Sequence, residues 1–395
     1  MAAWLAARGH QVRVVTAPPF YPEWRIASGF SGSRFVKTKA YFPPSELSLA
    51  LAGGDITVCR CPLWVPAKPS GLRRIFHFMS FALCSLPVML LQILWRPEMV
   101  LVVEPTMFCA PQAWLVARLS GAPAWLHVQD LEVDAAFEMG LLPSGLLSRF
   151  AYAMERVILG RFDRVSTISA NMLTRLKKKG VMDGLLFPNW VDTDAIFPIS
   201  GASPMRQELC LAESAVVALY SGNMAIKQGL EILIDAARSL GSNAAVRFVL
   251  CGEGPAKTRL EEMALGLDNV MFLPLQPVEK LNQLLNLADI HLLPQLADAA
   301  DLVMPSKLTG MFASGRPVVA TAKPGTQVAE VVEGRGIVVP PGNASALAAA
   351  VSELAGNAEL RVRLGQAARE HALAHMSLDA VLGRFESDLL GALRS

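Results

Sequence analysis

A chain of 395 residues exceeds what one hydrophobic core ordinarily organises, so two or three domains are expected. Hydrophobic residues at 52% and charged residues at 18% exclude intrinsic disorder and favour a well-buried or membrane-contacting protein. The net charge of +2 hides an asymmetry, because residues 1–100 carry eleven Lys/Arg against four acids, which suits an anionic lipid surface, a phosphate-bearing substrate or a plain solvated face.

Met1–Arg8 reads as the last two turns of a helix, Gly9 ends it, and Gln11–Ala17 is a strand. A doubly wound domain normally begins with a strand feeding that helix through a glycine-rich turn. Neither is present. The expectation is a first domain lacking its first strand, in a chain truncated at its start or read from a start codon placed too late.

Ile56–Cys61, Val100–Val103, Ala124–Val128 and Val165–Ile168 follow as short apolar strands separated by helices, the alternation of a parallel sheet. Ile75–Trp95 is a run of 21 residues without formal charge, about 32 Å long as a helix and near the thickness of a bilayer core. A true span would split the first sheet across the membrane. The expectation is a helix that packs on the first domain and dips into one leaflet, kinked at Pro87, with plain core and a span as alternatives.

Phe187–Pro198 is rich in Pro, Asn and Asp and is placed as a linker. A second alternating series then begins with strands Ala215–Tyr220, Val246–Cys251, Val270–Leu273, Ile290–Leu293 and Pro317–Ala320. Helices are expected at Leu230–Leu240, Val278–Leu287, Lys307–Ala313, Ala344–Ala355, Glu359–His371 and Leu378–Leu393. The organisation expected is an α/β protein of two Rossmann-like halves facing a cleft. Residues 1–190 form the acceptor-side domain, with the apolar segment 75–95. Residues 191–377 form the nucleotide-sugar domain, and 378–395 a helix packing back on the first. Among the six cysteines only Cys59 and Cys61 are close, and a lone Cys-x-Cys is neither a zinc site nor a disulfide framework. Buried free thiols in a reducing cytoplasm are expected. No cleavable signal peptide is visible.

Four stretches carry chemistry. In Tyr220-Ser-Gly-Asn-Met-Ala-Ile-Lys-Gln-Gly229 a strand ends, Gly222 permits a tight turn, and a helix is expected near Gln228, with Lys227 beside its N–H groups. That is a diphosphate site from general physics, an ordinary loop being the alternative. Gly252-Glu253-Gly254 lets backbone approach a ligand closely, yet it fails as a dinucleotide fingerprint for want of a third glycine. Ser306 is expected as the N-cap of a helix that has Lys307 in its first turn, a position an anionic ligand would explain. His127 and Asp130 follow a strand and sit at the cleft mouth, where an acceptor hydroxyl could be oriented or deprotonated, a structural histidine being the alternative.

Together these segments resemble the family 4 retaining glycosyltransferases over nearly the whole chain. The resemblance rests on Ser221-Gly-Asn-x3-Lys227-Gln-Gly229, Gly252-Glu-Gly254, Pro305-Ser-Lys307, Gly315-Arg-Pro-Val-Val-Ala320 and Pro188-Asn189-x-Val-Asp192. It is closest to the colanic-acid exopolysaccharide branch, through Thr16-Ala-Pro-Pro-Phe-Tyr-Pro22, Pro105-Thr-x-Phe-Cys-Ala-Pro111 and His127-x-Gln-Asp130. It implies a GT-B fold, transfer with retention, no metal and no cofactor beyond a nucleotide-diphosphate sugar as co-substrate. It implies that Lys227 neutralises the leaving diphosphate, where relatives add an arginine at the place of Asn223, and that His127 lies beside donor sugar and acceptor. A lipid-linked saccharide acceptor at the inner face of the membrane is implied as well, with no nucleic-acid partner. The Glu-x7-Glu pair of the family falls on Leu302 and Gly310, and Asp301 is one residue off and is taken as its substitute. The rivals are a nucleotide-sugar 2-epimerase of the same fold and a non-catalytic sugar-nucleotide or membrane-surface binding protein.

Overall fold

The computed structural model describes residues 1–21, 24–40, 56–67, 71–104, 107–131, 146–241, 245–296 and 305–394. The chain divides into two compact units, Met1–Phe187 with Leu382–Ser395, and Pro188–Val381.

The first unit runs α1 (Ala2–Ala7), β1 (Val12–Thr16), β2 (Val36–Ala40), β3 (Ile56–Arg60), α2 (Gly71–Leu91) with a 3-10 turn at Gln92–Trp95, β4 (Val100–Glu104), α3 (Ala110–Ser120), β5 (Ala124–Val128), α4 (Leu146–Leu159), β6 (Arg164–Thr167), α5 (Ala170–Lys178) and β7 (Leu185–Leu186). Its strands form two sheets. One has the order β1-β3-β2, with β1 parallel to β3 and β2 antiparallel; the other is the parallel set β4-β5-β6-β7. In the doubly wound order 3-2-1-4-5-6 the first strand is central. Among the described residues β1 and β4 each pair on one side only, so the strip beside each is open. Burial records that open strip: every residue of β1 is half-buried and Val103 is 43% exposed, whereas β5 is buried throughout. The end of α2 reaches both strands. Met89 and Ile93 pack with Val100 and Ala113, and Arg13 lies over the Trp95 ring and donates to Gln92 Oε1 at 3.1 Å.

The second unit runs α6 (Pro204–Glu208), β8 (Val216–Ser221), a 3-10 turn (Ile226–Gln228), α7 (Glu231–Leu240), β9 (Val246–Cys251), α8 (Lys257–Met263), β10 (Val270–Leu273), a 3-10 turn (Val278–Lys280), α9 (Leu281–Leu285) and β11 (Ile290–Leu293). It continues with α10 (Lys307–Ala313), β12 (Val318–Thr321), α11 (Gln327–Val332), β13 (Gly336–Val339), α12 (Ala344–Gly356), α13 (Ala358–His371) and a π turn (Ala372–Met376). Its six strands are all parallel, in the order β10-β9-β8-β11-β12-β13. One core, with Phe248, Leu233, Val351 and Leu354, covers one face; others, with Leu219, Val249 and Leu287 and with Phe312 and Leu308, fill the opposite side. Near-continuous apolar strands such as Val216–Tyr220 need both faces covered, which is why this sheet is parallel.

Helix α14 (Leu378–Arg394) begins in the second unit and belongs to the first from Leu382 onward. There the Phe385 ring stacks on Phe187 at 4.4 Å and touches Trp125, and Glu386 accepts from Arg8 at 2.7 Å. The strand Gln11–Ala17 and the three long helices after residue 343 are found close to where the sequence places them. Three expectations are corrected. The helix expected near Gln228 starts at Glu231, because Gly229 at φ +61° breaks the turn that holds Lys227. The helix expected over Val278–Leu287 is a 3-10 turn followed by the short α9. The thiols are all free, but only Cys59, Cys61 and Cys251 are buried, while Cys84 and Cys109 are half-buried and Cys210 is exposed.

Candidate functional site

In an open parallel sheet, ligands bind beyond the carboxyl ends of the strands where the order reverses. In the second unit the chain goes from β8 outward to β9 and β10, then returns to β11 on the other side of β8. The reversal therefore lies between the loops that follow β8 and β11, and four segments meet around it.

The register pairs Tyr220 with Leu250 and Ser221 with Cys251, so Gly222 and Gly252 are the next positions of two neighbouring parallel strands. Gly222 donates to Cys251 O at 2.9 Å, Met224 to Glu253 O at 2.8 Å, and Ala256 to Met224 O at 2.9 Å. A Cβ on Gly252 would lie 1.9 Å from Gly222 O, and one on Gly254 would lie 2.5 Å from Met224 O. The close approach that the Gly-Glu-Gly segment was expected to offer a ligand is taken up by the loop after β8. The two loops brace one another, at φ values of +140°, +150° and +152° for Gly222, Gly252 and Gly254 that only glycine adopts freely. Glu253 turns outward to an ion pair with Lys257 at 2.7 Å. The Asn223 side chain reaches back, its Oδ1 lying 2.7 Å from where a Gly254 Cβ would stand.

Lys307, in the first turn of α10, points into this loop. Its Nζ would lie 2.6 Å from a Cβ on Gly222; it donates to Tyr220 Oη at 2.8 Å and to Gln228 Oε1 at 3.3 Å, and rests over the Tyr220 ring at 4.4 Å. Burial lowers its ammonium to about 8. Among the described residues no carboxylate pairs with it, and a desolvated cation at the amino end of a helix is opposed by the dipole as well. An anion is what such a place lacks. Tyr220 is buried, and its hydroxyl also meets Asn223 O at 2.6 Å and Gln228. One phenol proton serves only one of those acceptors: if it goes to Asn223 O, Gln228 Oε1 is left to the Lys307 ammonium.

Ser306 occupies the N-cap position of α10, but its side chain makes no capping bond; its backbone sits in the helical region and Thr309 Oγ1 donates to its carbonyl at 2.8 Å. The expected serine cap is thus corrected. Gly310 lies within α10, where a Cβ would meet Leu285 Cδ1 at 3.3 Å. Asp301 and the side chain of Lys227 lie outside the described residues.

The first unit holds His127 and Asp130. His127 is the fourth residue of β5 rather than past its end, and it is 2% exposed. Its Nδ1 shares a hydrogen bond with Ser166 Oγ at 3.0 Å and its ring packs on Phe187 at 4.8 Å. Burial takes its pKa down to about 4, so the ring is neutral at pH 7. Trp125 Nε1 also donates to Ser166 Oγ at 2.8 Å, leaving the serine proton for the histidine. Asp130 is exposed two residues after β5, its carboxyl raised by partial desolvation.

Of the residues expected from the sequence, Gly222, Asn223, Gly252, Gly254 and Lys307 meet at one loop pair, whereas Glu253 turns outward and Ser306 is exposed. Sequence reasoning missed the Tyr220 hydroxyl and Gln228, although a tyrosine ending a buried strand must find a partner for its hydroxyl. Among the described residues no group of three or more His, Cys, Asp or Glu is placed to hold a metal ion.

Residues 203–371 match the glycosyl transferases group 1 model, and residues 1–190 match the glycosyl transferase 4-like domain. A protein of Escherichia coli strain K12 that carries the name colanic acid biosynthesis glycosyl transferase WcaI is 39% identical, over 99% of this chain and 94% of that protein. Alpha-D-kanosaminyltransferase of Streptomyces kanamyceticus is 32% identical over 45% of each chain. Among solved structures, sucrose-phosphate synthase from Thermosynechococcus elongatus superposes with a TM-score of 0.72 at 18% identity, covering 99% of this chain and 92% of that one. HepE of Anabaena in complex with UDP and glucose gives 0.61 at 18% identity, over 77% of this chain and 82% of that one. The fold common to these structures is GT-B, with two α/β domains.

Proposed function

This chain belongs to the family 4 glycosyltransferases, and from that premise we propose that it moves a sugar from a nucleotide-diphosphate sugar to a lipid-linked saccharide in bacterial exopolysaccharide synthesis of the colanic-acid kind. The full-length likeness to the Escherichia coli protein supports the pathway, and HepE, with UDP in the same fold, supports the donor class.

The observation that carries the reading is the Lys307 ammonium, half-buried and with no carboxylate partner among the described residues, at the switch point of the second sheet and directed at Gly222. When the donor bond breaks, charge grows on the leaving diphosphate. A preorganised cation stabilises that added charge more than the less charged diphosphate of the intact donor, which is how binding becomes catalysis. Lys227, on the 3-10 turn of the same loop, supplies a second cation. The retaining course follows a front-face displacement, in which a diphosphate oxygen takes the acceptor proton as the hydroxyl attacks. His127, neutral and fixed by Ser166, suits hydrogen bonding to a sugar rather than proton removal. No metal is needed in this scheme.

Substituting Lys307→Ala or Lys227→Ala removes one donor to the developing charge, a loss of about 2.7–4 kcal/mol, so turnover should fall ~100-fold or more. The assay follows free nucleotide release with membrane extracts as acceptor and a panel of nucleotide sugars. Turnover within a few-fold of wild type in both variants contradicts the assignment. An epimerase would leave the mass of the sugar nucleotide unchanged and release none.

A further inference from the structure

Helix α2 has two unlike faces. One is bonded to its own unit along its length: His77 is 1% exposed with Nδ1 2.6 Å from Trp64 O, Ser85 accepts from Gln112 at 2.8 Å, and Met89 and Ile93 pack against α3 and β4. The other face is bare. Phe76 (57% exposed), Leu83 (66%) and Leu90 recur every seven residues and so share a side, and Leu91 (60%) and Leu94 (83%) extend it. Among the described helices this is the one long and apolar enough to cross a membrane, yet little of its most apolar window is fully buried.

We propose that this bare face of α2 lies flat in the interfacial region of an anionic bilayer and docks the protein there without spanning it. A span is incompatible with the bonded face, because hydrocarbon would have to replace α3, Arg13 and the Trp64 loop, removing the bonds of Gln112 to Ser85, of Arg13 to Gln92 and of the His77 ring to Trp64 O. A plain core helix is incompatible with the bare face, because that much contiguous apolar surface in water marks an interaction site. The charge around it selects anionic lipid over a protein surface. No carboxylate occurs in the sequence between Asp55 and Glu98, while Arg73 and Arg74 lead the helix as exposed residues and Arg96 follows it. Aromatic residues suited to a headgroup boundary gather at the same end: the rings of Phe20 and Trp24 pack on His77, Tyr21 beside them is 67% exposed, and Trp64 is 48% exposed.

The proposal is independent of the reaction and is read without it. The purified full chain is floated with vesicles of phosphatidylglycerol and phosphatidylethanolamine, and in parallel with pure phosphatidylcholine vesicles. The expected result is binding to the anionic vesicles only, weakened by salt and released at alkaline pH as a peripheral protein is. Leu83→Glu with Leu91→Glu should reduce partition on the order of tenfold or more, and Arg73→Glu with Arg74→Glu by a similar factor. The thermal midpoint and far-ultraviolet circular dichroism of the leucine double variant should stay at wild-type values, since Leu83 and Leu91 are exposed, and the arginine double variant should keep the same circular dichroism although Arg74 loses its place over the Trp24 ring. Equal binding to both vesicle types, or undiminished binding in both double variants, overturns it. So does retention through alkaline extraction, which would mean a span, or a dimer abolished by Leu83→Glu, which would mean a second copy covers the face.

Discussion

Lys307 shows how a single side chain ties sequence to function. From the sequence it is a lysine in the first turn of a helix, against the dipole; in the structure its only described hydrogen-bond partners are a phenol and an amide. Its pKa of about 8 makes donor binding pH-dependent. A bound diphosphate favours the charged form and raises that pKa, so binding takes up a proton above pH 8. Affinity for the nucleotide product should be flat below pH 7.5 and then fall, approaching ~tenfold per pH unit until the pKa of the complex is reached. Calorimetry across pH 7 to 9.5 measures this. Lys307→Arg, which keeps its charge throughout, should flatten the curve; a flat curve in wild type would place the anion elsewhere. The same lysine destabilises the free fold while charged, so its contribution to stability improves as pH rises through 8 toward its unfolded value.

Gly252 is the other residue whose part is fixed by geometry. The sequence marks it as a place for a ligand to approach, but the space a Cβ needs is filled by the carbonyl of Gly222. Gly252→Ala must either push the two loops apart or strain a backbone at φ +150°, for a loss of at least ~2 kcal/mol in urea unfolding. A loss under 1 kcal/mol would mean the loops are not braced. Tyr220 and Gln228 stayed hidden for the opposite reason: their roles arise only when a strand end, a 3-10 turn and α10 come together from positions 79 to 87 residues apart in sequence.

At the scale of elements, apolar strands between amphipathic helices were readable wherever both faces of a strand are covered, as for Val246–Cys251 and Ile290–Leu293. The antiparallel β2 was not foreseen. Val-Lys-Thr-Lys-Ala places charge along an exposed strand, the pattern that protects a sheet edge and that alone cannot be told from a loop. Among the described residues β1 and β4 each pair on one side only. Those edges should behave as edges. In hydrogen–deuterium exchange the amides of Val12–Thr16 and Val100–Glu104 should exchange at least ~10-fold faster than those of Ala124–Val128, which has neighbours on both sides. Equal protection would show that the strip beside β1 and β4 is covered.

At the scale of the whole molecule, the division into two α/β units could be anticipated from the Pro-, Asn- and Asp-rich stretch after Phe187, but the way α14 serves both could not, since its sequence is that of any amphipathic helix. The helix begins where Leu378 donates to Val191 O at 2.9 Å in the second unit and ends among the aromatic residues of the first. Leu382 is fully buried and Phe385 is 2% exposed. Truncating residues of this size to alanine costs about 2–5 kcal/mol each, so removal of 382–395 should take a large part of one unit's stability. Glu386 adds to this above its carboxylate range: Arg8, then His10, hold its pKa below the usual value, so the link is lost as pH falls through that lowered pKa. A chain ending at Val381 should therefore lose exchange protection and protease resistance within residues 1–187, while β8 to β13 keep theirs. Uniform loss across both units would mean that they unfold as one cooperative body; no loss would mean that the packed Phe187, Phe385 and Trp125 rings contribute little. The selective outcome is favoured because, from Leu382 on, the contacts of the helix with Arg8, His10, Trp125 and Phe187 all fall within one unit.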